Sequence, residues 1–345
     1  MEKPNNIRVL ELFAGIGACS KALTNLGIDH EIVDAVEIDK YAIASFNAVH
    51  GTKFEPQDIR EWDKDIEADL IIHGSPCQDF SIAGKNAGGD EGSGTRSSLL
   101  YESLRIIENV KPKYVIWENV KNLLSKKHVH NWEQYCNKMN ELGYNNWCKV
   151  LNAKDYGVPQ NRERVFTVSI RKDINDNEFI FPARRPLTKR LKDVLEDNVD
   201  EKYYLSDQQT HGLKFSNPDV AYCLDANYAK GTNVDQYLAK KRQQIVKVGD
   251  LDIKGNDQIK RVYGAEGVSP TLSTMEGGNR QPKIVEDFRI RKLTPKECWR
   301  LMGFDDVDFD KAAKVNSNSQ LYKQAGNSIV VDVLEAILKE LFRIT

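Results

Sequence analysis

Alternation between short apolar runs and amphipathic stretches over the first 170 residues is the feature that most restricts the fold. Ile7 to Phe13, Ile32 to Ile38, Leu70 to His73, Tyr114 to Trp117, Val150 to Leu151 and Val165 to Ile170 have the length and character of strands. Between them, Gly17 to Leu26 is closed by Gly27, Tyr41 to His50 is closed by Gly51, and Ser97 to Val110 stops before Pro112, as helices do. A chain built this way predicts the α/β class, with a mostly parallel sheet covered by helices on both faces. Ligands of such sheets bind outside the carboxyl ends of the strands.

Those strand ends carry the chemistry. Phe13-Ala14-Gly15-Ile16-Gly17 joins the first strand to the first helix, and its glycines permit a tight turn and close approach of a ligand. Glu37 lies 20 residues beyond Gly17, at the end of the second strand, where an acid accepts hydrogen bonds from ribose hydroxyls. Asp58 follows and is placed to accept from an adenine amino group. A dinucleotide oxidoreductase competes for this pattern. Its fingerprint would put a third glycine at position 20, where this chain has Ser20, and Glu11 just before the loop disfavours a phosphate. An adenosine cofactor without pyrophosphate fits better.

Cys77 follows the third strand in Gly74-Ser75-Pro76-Cys77-Gln78. Alone, it reads as a small buried hydrophobe. Its neighbours favour a nucleophile: Pro76 fixes the backbone, and Gln78, Asp79 and Ser81 lead into a loop with glycines at 84, 88, 89, 92 and 94. A free thiol has a pKa of ~8.5, so attack at neutral pH needs a positive neighbourhood or proton removal during reaction. Arg162 and Arg164, spaced by two in Gln160-Asn-Arg-Glu-Arg164, would share one side of an extended segment and supply that field. Glu118 and Asn119 close the fourth strand, where a glutamate in an apolar setting can hold a proton on a ring nitrogen. Asn119 also suits a helix cap, and Gly326-Asn327-Ser328 reads as a turn plus cap before the last helix.

Residues 172–290 are polar, with short β-type runs at Gln244 to Val248 and Lys260 to Tyr263, and predict a smaller, irregular β-rich domain. Leu293 to Met302 and Ile329 to Leu341 read as amphipathic helices. Lysines and arginines number 49 against 51 acids, so only their distribution is informative. Arg184, Arg185, Lys189, Arg190 and Lys192 form one basic stretch, and Arg280, Lys283, Arg289, Arg291, Lys292, Lys296 and Arg300 another, as for a polyanion docking on one face. The start has no apolar signal core and no segment nears 18 apolar residues, so a soluble intracellular protein is expected. Six cysteines without a Cys-x-x-Cys pair argue against disulfides or a zinc site, and His128 and His130 read as loop residues.

In this order, the motifs resemble those of the DNA cytosine 5-methyltransferases, of bacterial or phage type. Phe13 to Gly17, Glu37 and Asp58 match the cofactor motifs, Ser75-Pro-Cys-Gln78 the catalytic motif, and Glu118-Asn-Val120 the strand-end motif. Gln160 to Arg164, Arg291-Lys-Leu-Thr-Pro295 through Gly303, and Gly326-Asn-Ser328 match the remaining three. The likeness covers about two-thirds of the chain, 1–170 and 288–343; 171–287 falls where the family keeps its variable target-recognition region. It departs at Ala83, where many members carry serine, and at the basic run Lys240-Lys241-Arg242.

The resemblance implies a Rossmann-like catalytic domain over 1–186 plus 322–345, and a target-recognition domain with hinge over 187–321. It implies S-adenosyl-L-methionine bound by Phe13, Ala14, Gly15, Ile16, Gly17, Glu37, Ile38, Asp58, Ile59, Pro76, Leu99, Asn327 and Ser328. It further implies double-stranded DNA contacted by Gln78, Ser81, Arg96, Thr271 and Leu272, with a flipped cytosine attacked by Cys77, engaged by Glu118 and steadied at its carbonyl by Arg164, while Arg162 holds the catalytic loop or a nearby phosphate. No metal and no membrane are expected, and the expected form is a cytoplasmic monomer whose cognate restriction endonuclease, where one exists, acts separately. Two rivals stand beside this reading: a transfer-RNA cytosine methyltransferase of the same fold, and a DNA-binding relative that has lost catalysis. A nicotinamide oxidoreductase is a more distant third.

Overall fold

The computed structural model describes residues 6–76, 96–174, 178–206, 214–215, 247–251, 257–275, 280–286 and 289–344. Its larger sheet contains β1 (Ile7–Leu12), β2 (His30–Val36), β3 (Leu70–His73), β4 (Tyr114–Val120), β5 (Tyr144–Asn152) and β6 (Glu163–Arg171), in the order β2-β1-β3-β4-β6-β5. The pairs β1/β2, β1/β3 and β3/β4 are parallel; β4/β6 and β5/β6 are antiparallel. Strand alternation sends successive side chains to opposite faces. Val9, Leu70, Ile72 and Ile116 enter one core with α1 (Ala18–Asn25). Leu10, Leu12, Ile71, Val115 and Trp117 enter the other, with α3 (Leu100–Val110) and α4 (Val129–Glu141). These strands are apolar on both sides because helices cover both faces. The expected α/β fold is therefore present.

The chain runs from β1 through α1 to β2 on one side, then through α2 (Lys40–His50) to β3 on the other side of β1. That reversal opens a crevice between the carboxyl ends of β1 and β3. The smaller sheet has the order β11-β10-β9-β8-β7, with β7 (Lys214–Phe215), β8 (Lys247–Asp250), β9 (Arg261–Gly264), β10 (Lys283–Glu286) and β11 (Arg289–Lys292). A single helical turn, α5 (Asp257–Lys260), leads into β9.

Four helices complete the fold: α6 (Pro295–Arg300), α7 (Asp306–Ala313), α8 (Asn318–Asn327) and α9 (Val331–Leu341). The first two, and the start of α8, lie inside the stretch expected for recognition and hinge, yet they are fastened to the larger unit. Lys21 of α1 pairs with Asp305 and Asp308, each at 2.7 Å, and Ser45 of α2 donates to Gln324 at 2.9 Å. Sequence reading missed α7 and α8, and it placed Gly326 and Asn327 in a turn where they instead finish α8. It also assigned His128 and His130 to a loop. His130 lies in the first turn of α4, and His128 is buried at its N-cap. The stripe that α4 buries, Asn131, Tyr135, Cys136 and Met139, opens on a polar residue, which weakened its periodic signal.

Candidate active site

Phe13 and Gly15 both adopt left-handed backbone, with φ of 53° and 57°. A phenylalanine there is strained, as residues at ligand-binding turns often are. Gly17, at φ 81°, admits no side chain: a Cβ would lie 2.1 Å from His50 Nε2. Glu37 fastens the turn from β2. Its Oε2 accepts from Gly15 N at 3.0 Å and its Oε1 from Asp39 N at 2.8 Å, while burial pushes its carboxyl up. Ile38 stands beside it, 65% exposed, an apolar side chain open to a ligand. Asp58 caps a single 3-10 turn and is held by the Arg60 guanidinium, which keeps its carboxyl below the usual range. Ile16 and Ile59 turn their side chains into the cores, which leaves their backbone to face a ligand. Leu99 is half-buried against the α3 face.

The turn after β3 is tied down from β4. Trp117 Nε1 donates to Ser75 Oγ at 3.0 Å, and Asn119 Nδ2 donates to Ser75 O at 3.2 Å. Asn119 is thus a fastener of the Ser-Pro-Cys turn, with its Oδ1 accepting from Val120 N, not a helix cap. Pro76 is the last residue described there; Cys77, Gln78 and Ser81 lie outside the described residues, and Arg96 opens a 3-10 turn through Leu99. His73 pairs in register with Trp117, so Gly74 sits next to Glu118, and a Cβ on Gly74 would be 3.6 Å from Glu118 Oε2.

Glu118 is half-buried near the end of β4, its side chain 12% exposed, with Arg164 Nε 3.1 Å from its Oε1. Burial pushes its carboxyl up, against the pull of Arg164 and Arg162. Both cations therefore act on this carboxylate. Arg162 is only 3% exposed and donates to the carbonyls of Leu272, Gly326 and Ser328, at 3.0, 3.1 and 2.9 Å. It serves backbone segments here; the catalytic loop it was expected to hold lies outside the described residues. Leu272 is 1% exposed, so its side chain faces the core; Thr271 is exposed and donates to Asn161 O at 2.5 Å.

A crevice at the switch point is lined by Phe13, Ala14 and Gly15 after β1, His73 and Gly74 at β3, Glu118, and Asn327, Ser328 and Ile329. Sequence reading missed Glu11, His73 and Ile329 in this lining. Glu11 accepts from Ser20 N at 3.0 Å and Ser20 Oγ at 2.5 Å, and burial raises its carboxyl to about 7. An acid directly before a glycine turn was the available signal. Burial likewise lowers His73 to about 3, which keeps it neutral. Among the described residues no cluster of His, Cys, Asp or Glu is arranged to hold a metal, and no helix is long and apolar enough to cross a membrane.

The basic stretches are less available than their sequence suggested. Lys283 and Arg291 are buried, and Arg289, Lys296, Arg300 and Lys192 pair with Glu201, Asp310, Asp306 and Glu266. Paired surface cations attract a polyanion less than free ones do.

Comparison with known proteins agrees with the geometry. A profile described as C-5 cytosine-specific DNA methylase matches residues 7–343. Type II methyltransferase M2.ScrFI of Lactococcus lactis subsp. cremoris is 37% identical, with 98% of this chain and 99% of that protein covered. Type II methyltransferase M.HhaI of Haemophilus parahaemolyticus is 36% identical over 96% of this chain and 93% of its own length. Among solved structures, a putative DNA modification methyltransferase encoded within an Escherichia coli prophage superposes with a TM-score of 0.66 at 22% identity, covering 98% of this chain and 99% of that one. S. pombe Dnmt2 methyltransferase superposes at 0.65 with 17% identity over 98% of this chain and 99% of that one, a likeness of fold. With the profile spanning nearly its whole length and relatives above one-third identity end to end, the chain belongs to the C-5 cytosine-specific DNA methylase family, enzymes that methylate carbon 5 of cytosine in DNA.

Proposed function

We propose that the switch-point crevice binds S-adenosylmethionine, and that Cys77 attacks a cytosine turned out of double-stranded DNA beside it. The observation that carries this reading is Glu118: a carboxyl at the crevice edge, raised by desolvation and flanked by two arginines, next to the turn that leads into Cys77. S-adenosylmethionine, when bound, supplies an electrophilic methyl group on its sulfonium. The residues suit it: a strained turn at Phe13 to Gly15 brings backbone close, Glu37 keeps lone pairs for ribose hydroxyls, and the exposed Ile38 offers a face to a base. Ala14, Asn327 and Ser328 add to the lining, Asp58, Pro76 and Leu99 are assigned to its rim, and Gly17, Ile16 and Ile59 shape it from behind.

Turning the base out costs a few kcal/mol and exposes its ring to the crevice. The Cys77 thiolate forms a bond to ring carbon 6 while Glu118 holds a proton at ring nitrogen 3, so the displaced electron pair makes carbon 5 nucleophilic. Arg164 keeps Glu118 oriented and stands next to the base carbonyl. Carbon 5 takes the methyl group and then loses its proton to water. The restored double bond expels the thiolate. Gln78, Ser81, Arg96 and Thr271 are the proposed DNA contacts, with Leu272 anchoring Thr271 from the core.

In this reading 1–186 with 322–345 performs the chemistry, and 187–321 supplies recognition, with α6 and α7 as the hinge that packs on the catalytic unit. A monomer in the bacterial cytoplasm, with any cognate endonuclease a separate protein, goes with it. DNA is favoured over transfer RNA because the relatives above one-third identity are named type II methyltransferases.

Covalent capture tests the proposal. Duplex DNA containing 5-fluorocytosine and S-adenosylmethionine should yield a denaturant-stable adduct with the wild type and none with Cys77→Ser, whose turnover should fall by ~10⁴-fold or more. Retained turnover in that variant refutes the covalent route, and capture on tRNA instead of duplex would move the substrate to RNA.

A further inference from the structure

Residues 159–162 and 269–273 form a seam between the catalytic sheet and the recognition region. Ser269 N donates to Pro159 O and Asn161 N to Ser269 O, each at 2.8 Å, and Leu272 N donates to Gln160 Oε1 at 3.3 Å. Gln160 Nε2 in turn donates to Leu301 O at 2.8 Å. Beneath this seam lies the Arg162 guanidinium. One of its nitrogens serves Leu272 O, and another serves both Gly326 O and Ser328 O. The acceptors come from two places with separate tasks: Leu272 adjoins the proposed DNA contact Thr271, while Gly326 and Ser328 flank Asn327 in the crevice wall.

Nothing fits between those two segments. A Cβ on Gly326 would lie 2.0 Å from Ser273 O and 2.6 Å from Thr274 N, so backbone rests directly on backbone. A buried N–H that loses its carbonyl is left unpaired at a cost. Displacing either segment therefore penalises the cation that holds the other. The arrangement with both in place is favoured as a unit.

We propose that Arg162 is a positioning residue that couples the two ligands: ordering of the Asn327–Ser328 wall by cofactor steadies the Thr271–Leu272 segment for DNA, and DNA returns the effect. Linkage requires this reciprocity. The inference rests on the proposed assignment of the crevice to cofactor and of the Thr271 segment to DNA. Its charge adds a second signature, because Arg162 also opposes the upward push of burial on Glu118.

The test uses S-adenosylhomocysteine as the cofactor probe and a duplex that the wild type methylates, chosen by bisulfite sequencing. Titration calorimetry with and without that duplex should show the probe binding on the order of tenfold more tightly to the wild-type complex. Gly326→Ala and Arg162→Lys, if folded by circular dichroism, should bring that ratio towards one. The pH profile should shift for Arg162→Met and stay put for Gly326→Ala. Should the variants not fold, hydrogen exchange on the wild type decides: the probe alone should slow the Ser269 and Leu272 amides. A ratio of one in the wild type, a ratio unchanged in folded variants, or amides indifferent to the probe each overturn the coupling. A wild type that binds no probe at all refutes instead the assignment of the crevice.

Discussion

Two glutamate–arginine pairs, one buried and one at a crevice edge, show how the same chemistry is put to different use. Glu297, at the start of α6, receives both arms of Arg291 at 2.8 and 2.9 Å, and its oxygens also accept from Thr294 N and Glu196 N at 2.8 and 2.9 Å. Arg291 turns its remaining face to Glu286. Every direction is occupied, and Thr294 with Glu297 completes a capping box that starts the helix. Glu118 meets Arg164 through a single 3.1 Å contact and borders an open crevice. A saturated carboxylate is a fastener. One with spare lone pairs, raised by burial, can exchange a proton with a substrate.

Substitution should separate the pairs. Glu118→Gln should lower kcat by ~10²–10⁴-fold, the range for a lost proton-transfer group, with little change in urea stability. The wild-type rate should decline as pH rises through the raised carboxyl, and the variant should lack that limb. Arg291→Leu should do the opposite, costing ~3–5 kcal/mol in urea denaturation by leaving Glu297 buried without its cation. If the first variant unfolded and the second merely slowed, the contrast would be reversed.

Glu11 gives a third, smaller measure, as a buried acid bonded to Ser20. Its folded carboxyl titrates near 7 against an ordinary 4.5. The folded state therefore keeps a proton that the unfolded chain has released, and stability declines as pH rises between those values. Glu11→Gln should remove a decline of up to about 3 kcal/mol between pH ~5 and ~8. Equal slopes for both proteins in urea melts at those pH values would show that Glu11 does not titrate this way.

Strands β1 to β4 and the helices between them were legible because each is dominated by apolar residues or carries an apolar stripe. The ends of those strands placed Gly15, Glu37 and Glu118 correctly at one edge. Legibility failed where burial and polarity part company. The stripe of α4 contains Asn131, and β10 and β11 bury Lys283 and Arg291, which the sequence offered as surface charge. Those cations are tolerable inside only because carbonyls and carboxylates meet them: Lys283 donates to Ile259 O at 2.8 Å and Gln281 O at 3.1 Å. Which way such side chains turn is set by the packing of the sheet, and their spacing alone does not announce it. The roles of Arg162 and Leu272 were hidden for the same reason.

The direct rest of Ser273 on Gly326 has a practical corollary for anyone exchanging DNA specificities between relatives. Segment 268–275 belongs to the chassis even though it lies within the variable stretch. A transplant that carries it along from a donor would import a mismatched joint, whereas one that leaves it native would replace only the reader.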